Sequence, residues 1–205
     1  MNTSLTAWLL SATAFAVAMS ATPGPNNAMV AASGASFGFR RTVPHMLGVA
    51  VGFPLMLVAV ALGAGEALRT WPWLHTALKW VGAAYLLWLA WHIARIRPEA
   101  AAVGRAERSR PLTFLRAALF QWVNPKAWVI AASAVVTYTT AGAVLAQAAA
   151  LAALFLVVTL PTVALWTGVG VGAARVLRSP RALRRFNLAM AALLVASLAS
   201  LLREG

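Results

Sequence analysis

Two proline-containing motifs interrupt apolar segments of this chain at positions about one hundred residues apart. They are Thr22-Pro23-Gly24-Pro25-Asn26-Asn27 and Asn124-Pro125-Lys126. Proline removes a backbone donor and blocks the helical ladder, so each motif frees amides and carbonyls. Within a bilayer, irregular backbone is tolerated only where it packs inside protein or lines a wet cavity. Paired breaks in corresponding positions of two halves indicate the binding site of a secondary transporter.

Lys126 directly follows the second break, inside a predicted membrane span. A lysine near the bilayer centre costs roughly 2.5–3.5 kcal/mol on insertion scales, and the positive end of a helix macrodipole adds to that cost. Both penalties fall when an anion binds, because the ammonium and the free amides then act together. A substrate carboxylate fits this description. The alternative is a lysine that extends to lipid phosphates at the cytoplasmic edge.

The first break has the complementary chemistry. Its freed carbonyls need hydrogen-bond donors, and a substrate ammonium would supply them. Asparagine side chains at both breaks add acceptors without a fixed charge. The alternative is a plain helix break that turns the chain near the inner surface. The predicted substrate-binding residues are Pro23, Gly24, Pro25, Asn26, Asn27, Asn124, Pro125 and Lys126.

Proton coupling would require a titratable group within or beside a span, and Glu66 and His45 are the two candidates. Glu66 stands three residues before Arg69, so a helix-end ion pair is its alternative role. The histidines His45, His75 and His92 occupy different span ends, in no metal-ligand spacing. We therefore predict no metal site and no cofactor. Without paired carboxylates or a Ser–His arrangement, we also predict no enzymatic activity.

The composition indicates that the chain folds in a lipid bilayer rather than in water. Apolar residues make up 61% of the 205 residues and charged residues only 10%, whereas a soluble domain carries roughly 25% charged residues. The net charge of +13 comes from arginines between apolar segments, which form no nucleic-acid-binding face. Cysteine is absent, which excludes disulfides and thiolate sites. The apolar run 5–21 has no preceding Lys or Arg, so we expect it to be retained rather than cleaved as a signal peptide.

Six segments are predicted to span the membrane: 5–22, 43–65, 72–94, 114–140, 143–170 and 183–202. A short helical piece at 27–39 is either re-entrant or the continuation of a broken first helix. The basic loop 98–111 separates a first repeat, 1–97, from a second, 112–205. Because each repeat has three spans, the second enters from the opposite side. The predicted fold is an all-α polytopic membrane protein of two inverted three-helix repeats with proline-broken helices.

Arginine placement predicts the orientation. Thirteen arginines fall in the odd-numbered loops and flanks, and only Arg69 and Arg203 fall on the other side. Positive loops stay in the cytoplasm, so both termini should face the periplasm. The Gly48-x-x-x-Gly52 motif allows close helix contact, either within one chain or between two, which leaves a homodimer open.

Several further motifs accompany the two proline breaks. They are Gln121-Trp122-Val123 before the second break, Ser36-Phe37-Gly38-Phe39-Arg40, the glycines Gly48 and Gly52, and Gly82-Ala83-Ala84-Tyr85-Leu86-Leu87-Trp88-Leu89-Ala90-Trp91. In these features the chain resembles the lysine exporter and homoserine/threonine efflux family (LysE/RhtB) along nearly its whole length. The doubled asparagine and the tryptophan segment are most similar to the cysteine/O-acetylserine exporter branch. The resemblance implies export of amino acids or close derivatives across the bacterial inner membrane.

We therefore expect a secondary exporter of a small amino acid, such as cysteine, O-acetylserine, threonine or homoserine. It would work by alternating access in the lipid bilayer, with proton exchange as a plausible energy source. The alternatives are a cation or metal transporter and a non-transporting membrane assembly subunit. A metal transporter would need intramembrane Asp, Glu, Cys or clustered His, which the sequence almost lacks.

Overall fold

The computed structural model describes residues 3–64, 70–95, 110–177 and 179–203. These residues form helices and connecting turns, without a β-strand among them, which confirms the all-α prediction. The predicted coupling residue Glu66 and residues 98–109 of the predicted basic loop lie outside the described residues. The helices are α1 (Thr3–Ala21), α2 (Pro25–Phe37), α3 (Phe39–Ala59), α4 (Pro72–Ala94), α5 (Phe114–Phe120), α6 (Pro125–Tyr138), α7 (Val144–Val176) and α8 (Pro180–Arg203).

Both predicted breaks are present. The axes of α1 and α2 meet at an angle of 53°, and Pro25 begins α2. A short 3₁₀ turn, Gln121–Val123, continues α5 until Asn124 leaves the helical conformation. Pro25 and Pro125 each occupy the first helical turn, where proline is tolerated because the missing N–H would have no partner there.

The short helix predicted at 27–39 is α2, although its bounds differ at both ends. It starts two residues earlier, at Pro25, and it ends at Phe37. Gly38 has a φ of 80°, which a residue with a side chain rarely adopts, and α3 begins directly after it. Almost every residue of α2 is buried. The chain therefore carries a short helix inside the protein, where its freed backbone groups can be partnered.

Helix α7 is the centre of the packing and contacts α1, α2 and α3. Two glycines bring the backbones of α2 and α7 together: a β-carbon at Gly34 would overlap Thr167, and one at Gly170 would overlap Ala31. The predicted Gly48-x-x-x-Gly52 contact is made against α5 of the same chain, at Phe114 and Ala118. Small residues thus set the spacing of the helices that carry the two breaks.

By length and composition, two stretches of the described residues can cross a membrane: Phe39–Ala64, which extends α3 by a π-helical turn with a kink at Gly63, and α7. The bent pair Leu5–Ala21 and Pro25–Phe37 adds a third if it forms one span. These findings support a helical membrane protein. The count of six spans and the inverted repeat stay predictions.

Candidate functional site

The two proline breaks meet in space. The Lys126 ammonium at the start of α6 donates a hydrogen bond to the Thr22 carbonyl at 2.8 Å and lies 3.4 Å from the Pro23 carbonyl. A β-carbon at Gly24 would lie 2.9 Å from the Lys126 Cδ atom, so the absence of a side chain there makes room for the lysine. The residues that the sequence assigned to one site, across a separation of about one hundred positions, are therefore neighbours.

Asparagines of the first break partner the backbone that the prolines free. The Asn27 amide donates to the Ser20 carbonyl at 2.7 Å and to the Thr22 carbonyl at 3.0 Å. Asn26 exchanges two hydrogen bonds with the Gln121 amide, at 2.9 and 3.1 Å. Gln121 is fully buried on the 3₁₀ turn before the second break. This amide pair joins the two breaks directly.

The second break is less completely partnered. Asn124 is buried, and its Oδ1 atom has no hydrogen-bond partner. Its backbone carbonyl accepts from the amides of Ala127 and Trp128. The Ala127 amide is thus used by a local turn, while the Trp128 amide makes the first regular hydrogen bond of α6. What this break offers a ligand is the Lys126 ammonium and the Asn124 side-chain acceptor.

A cavity of about 50 Å³ lies between the two breaks. At this size it holds a few water molecules, since each needs roughly 10–15 Å³. Its polar wall includes Ser20 and Thr159, whose hydroxyls are 3.4 Å apart. Its apolar wall includes Phe53 and Phe155, with ring centroids 4.9 Å apart. Of the predicted residues, the cavity is lined by Gly24, Pro25, Asn26, Asn27, Asn124 and Lys126.

The electrostatics of this break site, meaning the cavity and the two motifs around it, favour an anion beside Lys126. Every acidic residue of the chain lies outside the described residues, so no described carboxylate balances the ammonium. The N-terminus of α2 also borders the cavity, and the first amides of a helix have no intrahelical acceptor. A helix N-terminus and an ammonium on the same cavity form a site suited to a carboxylate.

Three polar residues of the site were not among the sequence predictions: Ser20, Gln121 and Thr159. Gln121 could have been found, because it begins the Gln-Trp-Val-Asn-Pro-Lys motif that carries the family resemblance. Ser20 and Thr159 occupy ordinary helical positions and carry no local signal. His45, predicted for coupling, is buried on α3 and lines a different cavity. The described residues contain no group of three His, Cys, Asp or Glu that could hold a metal ion.

Comparison with known proteins identifies relatives of this chain. A family model described as LysE type translocator matches residues 17–204. Proteins named cysteine/O-acetylserine efflux protein are similar: that of Salmonella choleraesuis is 36% identical over 120 residues, that of Klebsiella pneumoniae 34% over 117, and that of Escherichia coli O1:K1 32% over 118. Each alignment covers 57% of this chain and 58% of the relative. No solved structure matches the chain.

These matches confirm the predicted family resemblance and its likeness to the cysteine/O-acetylserine exporter branch. The family match extends over both proline breaks and over every helix that lines the cavity between them, although it begins within α1. The chain belongs to the LysE type translocator family.

Proposed function

We propose that this protein is a secondary exporter of small amino acids or their derivatives across the bacterial inner membrane. Cysteine and O-acetylserine are the first candidate substrates because relatives at 32–36% identity carry those names. The observation that carries the proposal is the meeting of the two breaks, where Lys126 lies on the carbonyls freed at Thr22 and Pro23. Backbone irregularity of this kind lines the substrate sites of secondary transporters.

Both charged groups of an amino acid have a matching group in the break site. The carboxylate would lie between Lys126 and the N-terminus of α2, and would draw the ammonium of Lys126 away from the Thr22 carbonyl. The substrate ammonium would then donate to the Asn124 Oδ1 atom, which has no partner, and to the hydroxyls of Ser20 and Thr159. The Lys126 ammonium thus occupies the first break until the substrate carboxylate draws it away.

Transport would proceed by alternating access of two inverted repeats, 1–97 and 112–205, that rock around the break site. The order of the described helices supports this division. Each half contains a broken helix, then a helix with an internal proline, Pro54 in α3 or Pro161 in α7, and then one further helix. Both termini would face the periplasm, because thirteen arginines fall on the opposite side.

The protein would assemble as a homodimer. Proton exchange would supply the energy for export. One charge moved across a potential of ~100 mV releases about 2.3 kcal/mol, enough for a roughly fiftyfold gradient. His45 and Glu66 remain the candidate coupling residues. His45 lies on α3 in the neighbouring cavity rather than in the break site.

The test is efflux from proteoliposomes loaded with labelled cysteine, O-acetylserine, threonine, homoserine or lysine. Lys126→Gln should reduce efflux of the transported substrate about 10-fold to 100-fold, because a hydrogen bond to a charged group contributes roughly 1.5–3 kcal/mol. The only other lysine, Lys79 on α4, provides the matched control, and Lys79→Gln should retain efflux. Normal efflux by Lys126→Gln would reject the carboxylate site, and no efflux by the native protein would reject the exporter.

A further inference from the structure

A second cavity, of about 510 Å³, lies beside the break site between α2, α3, α4 and the segment that leads into α5. Arg110 and Arg116 line it, together with His45 and His92. We call it the basic cavity. The described residues contain no acidic side chain, so none of them neutralises the two guanidinium groups. Such a cavity favours an anionic ligand.

His45 provides an independent observation. Its side chain is 1% exposed and borders the basic cavity, yet neither Nδ1 nor Nε2 has a hydrogen-bond partner. Buried polar side chains in proteins are nearly always partnered. The neighbouring polar groups do not supply this partner, because the Ser33 and Thr42 hydroxyls bond each other at 2.9 Å. A ligand in the cavity would provide what His45 lacks.

The remaining wall of the basic cavity is apolar and aromatic. Trp88 stacks on the His92 ring with centroids 5.4 Å apart, and Leu89 and Ile93 continue the same face of α4. A bare inorganic anion would leave this surface unused, whereas an organic acid with a short side chain would contact it. Sites of this kind combine an apolar wall with a few converging polar groups.

The two cavities share α2 and α3, and α3 lines the break site with Val49 and Phe53 and the basic cavity with His45. α2 lines the break site with Asn26 and Asn27, and it lines the basic cavity with Ser33. The segment of α5 carries Arg116 at the basic cavity and then leads to Gln121. The reciprocal amide pair of Asn26 and Gln121 therefore joins α2, which lines both cavities, to the turn that follows α5.

We propose that the basic cavity is a second binding site for the carboxylate of an amino acid, occupied before the substrate reaches the break site. Arg110 and Arg116 would hold the carboxylate, His45 would complete its hydrogen bonds, and the apolar wall would contact the side chain. The Asn26–Gln121 pair would separate this site from the break site until it opens. The inference rests on the proposed function and adds a cytoplasm-facing intake site to it.

Because the chain contains no cysteine, a single introduced thiol can report occupancy without transport. Ser33→Cys places a nearly isosteric thiol in the wall, and Trp88→Cys provides a second reporter. The rate of labelling by a small thiol-specific reagent is measured on purified protein with O-acetylserine, acetate or inorganic phosphate. Parallel samples in lipid discs with and without anionic lipid distinguish a lipid headgroup from a soluble carboxylate.

We expect O-acetylserine to slow labelling at least threefold at saturation, and acetate to do so only at higher concentration. Arg116→Gln should raise the protecting concentration about tenfold or more. The matched control Arg175→Gln changes an exposed arginine at the end of α7 and should retain protection. Lys126→Gln should also retain protection, because it alters only the break site.

Stronger protection by phosphate than by O-acetylserine, or protection only by anionic lipid, would overturn the proposal. So would unprotected labelling of both reporters in a protein that shows Lys126-dependent efflux, and the exporter proposal would then survive alone. Protection without efflux by the native protein would support the carboxylate site and reject the exporter.

Discussion

The two proline breaks both combine proline with asparagine but partner their polar groups differently. At the first break, Asn27 donates to two freed backbone carbonyls and Asn26 is paired with Gln121. At the second, the Asn124 Oδ1 atom is buried without a partner, and Lys126 reaches across to the other motif. The polar groups of the first break are thus already hydrogen-bonded by its own asparagines. The second break offers a ligand one donor, the Lys126 ammonium, and one acceptor, Asn124 Oδ1.

This difference assigns unequal roles to two motifs that look equivalent. A buried group that is already bonded contributes to stability, while an unpartnered one raises the free energy of the empty site and can be satisfied by a ligand. We therefore expect substitutions of the asparagines at the first break to affect folding more than binding. Substitutions at the second break should affect binding more than folding.

Three substitutions test this difference: Asn27→Ala, Asn124→Ala and Gly24→Ala. The largest effect should come from Asn27→Ala. It removes two hydrogen bonds, to the Ser20 and Thr22 carbonyls, and should destabilise the protein by about 2–3 kcal/mol. Thermal unfolding in detergent should show a melting temperature several degrees lower. Ser11→Ala, which removes one exposed hydrogen bond to the Trp8 carbonyl, is the control and should leave the transition unchanged. An unaltered transition for Asn27→Ala would mean that the first break does not depend on its own side chains.

Asn124→Ala should have an intermediate effect, and on binding alone. It deletes the unpartnered acceptor of the second break, so the affinity for the exported amino acid should fall about tenfold while stability is unchanged or slightly higher. Efflux as a function of substrate concentration, with thermal unfolding alongside, separates the two quantities.

Asn187→Ala is the matched control for Asn124→Ala. Asn187 lies on α8 and is also buried with both side-chain polar atoms unpartnered, but it does not line the break site. Its substitution should leave the affinity unchanged. Equal loss of affinity in both variants would show that the Asn124 acceptor has no particular role.

Gly24→Ala should have the smallest effect. The added β-carbon would lie 2.9 Å from Lys126 Cδ and 3.0 Å from Nζ, so the flexible lysine side chain must move away from the Thr22 carbonyl. We expect the half-saturating substrate concentration to rise threefold to about tenfold, since only part of one charge-assisted bond is lost. Gly168→Ala, where no atom lies within 4 Å of the added carbon, should transport normally.

The sequence predicted the two breaks and their meeting in one site. Proline and an intramembrane lysine allow this because each requires polar partners that lipid does not supply. Unpartnered backbone at membrane depth must find donors and acceptors, and a lysine must find an anion or a carbonyl. Pro25 and Lys126 therefore line the same cavity from opposite halves of the chain. The expectation that free amides at the second break act together with the Lys126 ammonium stays a prediction, with the Ala127 amide already bonded to the Asn124 carbonyl.

Other members of the site depend on tertiary packing. Thr159 reaches the cavity because α7 lies against α1, and the glycine contacts between α2 and α7 set that arrangement. A threonine in an apolar helix often bonds its own backbone, so its sequence context does not separate the two roles. His45 was predicted as a coupling residue from its type alone, and only its place in the fold connects it to Arg110 and Arg116.

Helix α7 has a consequence for the lipid around the protein. Its 33 residues make a rod roughly 50 Å long at 1.5 Å per residue, whereas the hydrocarbon core is about 30 Å thick. Tilt, a bend at Pro161 or protrusion into the headgroups must absorb the excess, and each changes with bilayer thickness. Because α7 packs against the helix that begins at the first break, acyl-chain length should alter the geometry of the break site without any change in sequence.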